Sequence, residues 1–162
     1  MTQEREQAVK SRPMTAPLEG VPLPDLERLP DYERGFWEGS RNGELRIQQC
    51  SDCGLFRHLP TPMCPGCSSL DYNWTQVSGQ GVVYSYVIVR HPVHSAIREK
   101  EQTPYNLCMI ELEEQEGLRI CSNLLHVPPE DIRIDMPVQV TFMPAVEEPE
   151  VVLPVFLPAS EQ

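Results

Sequence analysis

CSDCGLFRHLPTPMCPGC, residues 50–67, carries four of the chain's six cysteines as two C-x-x-C pairs ten residues apart. Zinc takes four ligands in a tetrahedron, and two thiolates three positions apart on a tight turn aim both sulfurs at one point. Two such turns complete a shell of Cys50, Cys53, Cys64 and Cys67. Gly54 behind the first pair and Pro65-Gly66 inside the second suit the turn geometry. The spacer GLFRHLPTPM is shorter than the roughly 15–20 residues common in such sites, but it allows a strand out and back. Disulfides or free thiols are the alternatives for the same residues. Iron in the shell would make it an electron carrier of the rubredoxin kind. Four thiolates leave a metal no open position, so the predicted site is structural and not hydrolytic. His58, inside the loop, is then surplus and reads as a packing or surface residue. Cys108 and Cys121 lack a pairing spacing and read as buried small hydrophobes.

Before the cysteines, PDYERGFWEGSRNGEL predicts a short helix within 30–43. Asp31 is placed to cap it, Glu33 suits its first turn, and Tyr32, Phe36 and Trp37 fall near one face. Asn42-Gly43 ends it and leads into the strand ELRIQQC. One helix has little core of its own, so Phe36 and Trp37 cover either the rest of this chain or a partner. Residues 1–29 hold four prolines among scattered charges without a sustained period, which predicts an extended or disordered arm.

After the cysteines the pattern turns to strands. A ribbon over 44–76 gives way to a domain over 77–162. VVYSYVIV is dense in β-branched and aromatic residues, as a strand buried on both faces or strongly curved would be. LCMIELEE and LRICSNLL flank QEG as a hairpin whose acidic tip reads as solvated. VPPEDIRIDM predicts a single helical turn before PVQVTFM, and EVVLPVFLP is a strand whose Pro154 favours an edge or a bulge. From Val82 four strands are clear, and a lead-in at Asn73 to Val77 makes five. The expected fold is mainly β: a short helix and a rubredoxin-like zinc ribbon followed by a five-stranded Greek-key barrel of the OB type, with a generic sandwich as the rival.

The net charge is −11, divided as −3 over residues 1–80 and −8 over 81–162. A nucleic-acid binder needs a basic face, so a single-strand-binding ribbon and barrel is the weaker reading. The N-terminal MTQEREQAVKSRPM is charged and lacks an apolar segment, and no run approaches the roughly 20 apolar residues of a membrane helix. A cytosolic location is therefore expected. No nucleophile elbow, phosphate-binding loop or dinucleotide motif occurs. Arg90, His91, His94 and Arg98, with Lys100, form a positive island in the acidic half, and are candidates for contact with a partner or an anionic ligand.

The order of parts, with the phrases GFWEGSRNGELRIQQC, GQGVVYSYVIVR, PEDIRIDMPVQVTF and LPVFLP, resembles the acyl-CoA-associated family of zinc-ribbon OB-fold proteins, domain of unknown function 35. The resemblance spans roughly residues 30–158. It implies an accessory subunit with no catalytic residues of its own, bound to a thiolase-like enzyme such as a steroid side-chain aldolase or an acyl-CoA acyltransferase. It also implies that the barrel helps to shape the partner's acyl-CoA channel, with a CoA thioester at the interface. Phe36 and Trp37 would then face the partner, and the loop from Arg90 to Lys100 would border the channel.

Overall fold

The computed structural model describes residues 12–91, 95–99 and 102–159. Helix α1 (Asp31–Arg41) leads into β1 (Arg46–Cys50), which pairs antiparallel with β2 (Phe56–Arg57) on one side and β3 (Tyr72–Gln76) on the other. This small sheet is the ribbon. The lead-in run at Asn73 to Val77 therefore belongs to the ribbon and is not the barrel's fifth strand, because Arg46 to Cys50 already occupies its hydrogen-bonding edge.

The five barrel strands are β4 (Gln80–Val89), β5 (Tyr105–Leu112), β6 (Arg119–Ser122), β7 (Pro137–Pro144) and β8 (Val152–Pro158), in the sheet order β6-β5-β4-β7-β8. A helix α2 (Ser95–Glu99), too short to carry a periodic signal, lies between β4 and β5, and a single 3₁₀ turn at Pro129–Asp131 precedes β7. The sheet curls until its two outer strands meet. Leu124, just past β6, bridges Phe156 of β8 in parallel, with Leu125 N–H donating to Phe156 C=O at 2.8 Å and Phe156 N–H to Asn123 C=O at 3.0 Å. This is the strand arrangement of an OB fold. Pro154 sits on β8, at the edge of the hydrogen-bonded sheet as its missing N–H requires.

Curvature comes from a bulge in β4 between Val83 and Ser85. Val83 points into the core, whereas Tyr84, Tyr86 and Val87 are exposed, so this strand is strongly bent and not doubly buried. The register also corrects the reading of Cys121. It pairs with Met109 and is exposed on the outer face, while Cys108 is fully buried.

Ribbon and barrel share one hydrophobic cluster. Phe36 of α1, Leu45 and Ile47 of the ribbon, and Val83, Ile110 and Phe156 of the barrel all belong to it. The helix starts differently from expectation: Pro30 occupies the cap position, and Asp31 is the first helical residue, without a capping bond. At its other end the Asn42 N–H donates to Glu38 and Gly39 carbonyls, and Gly43 turns the chain with a φ of 74°. Gly35 lies against the ring of Trp74 so closely that a Cβ would overlap it, which lets α1 seat on the ribbon.

The described part of the arm crosses the barrel. Met14 C=O accepts from His126 N–H at 2.7 Å, and Glu19 and Gln102 exchange two hydrogen bonds at 2.7 and 2.9 Å.

Candidate functional site

Two knuckles of matching hydrogen-bond pattern bring the cysteine pairs together. In the first, Gly54 N–H donates to Cys50 C=O at 3.0 Å and Cys50 N–H to Leu55 C=O at 3.0 Å. In the second, Ser68 N–H donates to Cys64 C=O at 2.9 Å and Cys64 N–H to Ser69 C=O at 2.8 Å. The left-handed position is Gly54 in one (φ 74°) and Ser68 in the other (φ 63°), so Ser68 and not Gly66 takes the turn.

The sulfurs of Cys50 and Cys67 lie 3.5 Å apart, those of Cys53 and Cys64 3.6 Å, and all four fall within 4.8 Å of one another. A tetrahedron of zinc–sulfur bonds of about 2.3 Å separates its sulfurs by roughly 3.8 Å. The donor set fits that ion chemically as well. Backbone N–H groups of Cys53 and Asp52 directed at the Cys50 sulfur pull its thiol down to about 6, the range of a ready thiolate. At Cys67 the Ser69 N–H acts in the same direction. The sulfurs of Cys50, Cys53 and Cys64 outweigh it and push the Cys67 thiol up to about 12. Four adjacent thiolates need a cation among them, and zinc in this shell would supply the cross-link that holds both knuckles.

Around this centre the ribbon makes polar ties. Buried Gln48 accepts from Arg57 Nε at 2.6 Å and from Thr61 N–H at 2.9 Å. The hairpin tip expected to be solvated reaches across instead. Gln115 holds the backbone of Phe56, and Ser78 N–H donates to Glu114 Oε1 at 2.6 Å. Nothing in the sequence pairs 56 with 115, because the two meet only once the barrel is built.

The remaining candidates separate. Phe36 is 7% exposed, edge-on to Trp37 at 5.2 Å and tilted against His58 at 5.1 Å. It is a core residue of this chain, and the expectation that it faces a partner is corrected. Trp37 is half-buried and lines an apolar cleft of about 350 Å³. Arg90 and His91 are exposed at the end of β4. His94 and the side chain of Arg98 lie outside the described residues.

His58 also lines that cleft, and burial pulls its imidazole down to about 4, so the ring is uncharged at neutral pH. The cleft's other walls are Leu18 of the arm, Leu59 of the ribbon loop, and Leu107, Cys121 and Leu153 of the barrel's outer face. No single stretch of sequence signals it, since its walls come from segments as far apart as Pro17 and Val155.

Residues 37–72 match the family model of the ChsH2 rubredoxin-like zinc ribbon domain, and residues 74–143 that of the ChsH2 C-terminal OB-fold domain. A chain of the solved Ltp2-ChsH2(DUF35) aldolase is 37% identical, with a TM-score of 0.70 over 81% of this chain and 97% of its own length. The probable enoyl-CoA hydratase alpha subunit of Thermomonospora curvata is 39% identical over 87% of this chain, but the chain spans only 41% of that relative's length. A DUF35 domain-containing scaffold protein of Pyrococcus furiosus is 37% identical over 64% of this chain and 73% of its own. The relatives are thus named as scaffold proteins or as subunits of hydratase and aldolase assemblies. A paired-knuckle ribbon packed on an OB barrel, matched in both halves, makes this chain a member of the DUF35 family.

Proposed function

We propose that the chain is a non-catalytic accessory subunit of a thiolase-superfamily enzyme, either a side-chain aldolase or an acyltransferase acting on acyl-CoA. The observation that carries this reading is the likeness to the chain of the Ltp2-ChsH2(DUF35) aldolase, which this chain covers almost from end to end at 37% identity. The residues agree with it. The described part holds a four-sulfur shell that would leave a bound metal no open position for a substrate, in keeping with a structural ribbon.

The exposed Arg90 and His91 at the end of β4 are the contacts we assign to the partner and to the phosphates of a CoA thioester at the interface. His94 and Arg98 extend that basic edge in sequence. The nucleic-acid alternative is weakened by Tyr84, one of the tyrosines that could stack bases: the Arg119 guanidinium already covers its ring at 3.4 Å, and Glu111 pairs with that arginine at 2.6 Å.

Co-expression with a thiolase-like enzyme from the same host, followed by gel filtration of the zinc-loaded chain, tests the proposal. A stable hetero-oligomer at micromolar concentration is the expected result, and separate elution of two folded proteins overturns it.

A further inference from the structure

The cleft beside Trp37 is unusual in a chain with a net charge of −11, because no charged side chain lines it. Leu59 is 75% exposed at its rim and Leu107 40% exposed on its floor, apolar surface left open to water. Ser122 and Asn123 in its wall are engaged, their side chains donating to the Pro154 and Asn106 carbonyls at 2.7 and 2.6 Å, which leaves the imidazole of His58. The His58 ring is half-buried against Phe36 and makes no hydrogen bond among the described residues, although a neutral imidazole offers one donor and one acceptor.

A volume of about 350 Å³ lies at the lower end of sites for small ligands, roughly 300–1,000 Å³. An extended peptide would need its N–H and C=O groups met by the outer edges of β6 and β8, which already pair with each other through Asn123 and Phe156. An anion fits it worse still.

We propose that this cleft binds a neutral, largely apolar molecule carrying one hydroxyl or carbonyl oxygen, with that oxygen on His58 and the hydrocarbon against Trp37, Leu59 and Leu107. The inference goes beyond the accessory-subunit reading, because it assigns a ligand to this chain without its partner.

The test uses the zinc-loaded full chain and two fluorescent dyes of similar size: Nile red, neutral with a ring carbonyl, and anilinonaphthalene sulfonate, an anion. Nile red is expected to bind saturably with one site per chain, and the sulfonate about tenfold or more weaker, because the cleft has nothing to pair a charge. Leu107→Asp and Leu59→Asp, both at exposed positions that tolerate a polar side chain, each weaken Nile red by about tenfold while the melting temperature holds. His58→Phe lowers the ability of naphthol to displace the dye about three- to tenfold and leaves that of naphthalene unchanged, as the loss of one hydrogen bond requires. Equal affinity for both dyes, indifference to Leu107→Asp, or release of the dye when the enzyme subunit binds overturns the proposal, the last because it makes the cleft a protein interface. A chain that assembles with its enzyme yet binds no dye sinks the cleft alone, and one that binds dye but no enzyme sinks the accessory-subunit reading alone.

Discussion

The side-chain amide of Gln115 holds both backbone groups of Phe56, accepting from its N–H at 2.9 Å and donating to its C=O at 3.1 Å. Gln115 is at the tip of the β5–β6 hairpin, and Phe56 is in the ribbon's outer strand, so one side chain imitates a strand partner across two sheets. Gln115→Ala should cost about 1–2 kcal/mol, since two partly buried backbone groups lose their partners. Native-state hydrogen exchange checks this: the Phe56 amide should exchange about tenfold faster while Ile110, deep in the barrel, does not change.

Zinc removal should unfold the ribbon. Cys50 and Cys64 are 2% and 0% exposed, so Cys50→Ser or Cys64→Ser cannot recruit water as a replacement ligand without opening the knuckles. The expected outcome is loss of stoichiometric zinc in a chelator assay together with loss of partner binding. A variant without metal that still binds the enzyme would refute the supporting role of the ribbon.

Asn106 is fully buried and mimics a strand partner at the point where β6 ends. Its Oδ1 accepts from Leu124 N–H and its Nδ2 donates to Leu124 C=O, both at 2.7 Å. Asn106→Leu keeps the branched shape and strands both groups, at a cost of about 2–4 kcal/mol in urea unfolding. Asn106→Asp should be nearly as costly, because a carboxylate oxygen would then face the Leu124 carbonyl.

A methyl group at position 35 has no room. Gly35→Ala puts a Cβ inside the Trp74 ring, so α1 must lift from the ribbon, with a loss of about 1–3 kcal/mol. The Trp74 environment reports the shift, and near-UV circular dichroism should weaken more than the far-UV signal.

Acid should find His58. Burial lowers its pKa from 6.5 to about 4, so between these values the unfolded chain takes up a proton that the folded chain resists. Stability from this group is complete above pH 6.5 and is lost as the pH falls towards 4. The thiolates titrate too, so the readout is a difference: the melting temperature of His58→Phe should fall less between pH 7 and pH 5 than that of the unaltered chain.

The parts legible in the sequence were those that short spacing controls. Two C-x-x-C pairs dictate the knuckles, and runs such as VVYSYVIV dictate the barrel strands. What spacing could not reveal depends on closure. The bulge at Val83 to Ser85 decides which side chains of β4 face water, and the pairing of Cys121 with Met109 turns its thiol outward. Phe36 looked available because a short helix exposes most of its surface, yet the ribbon and barrel supply it with a core. The fifth strand was misassigned because Asn73 to Val77 has good strand composition, and only β1 shows where its hydrogen bonds go.

The shared cluster of Leu45 and Ile47 with Ile110 and Phe156 gives the metal an influence over time as well as over shape. When the knuckles open, the floor of that cluster opens with them, and barrel strands that never touch the sulfurs become susceptible to proteases. On the proposed accessory role, the half-life of the chain in a cell then follows metal supply, so zinc scarcity should lower the abundance of the assembly before it alters any catalytic step.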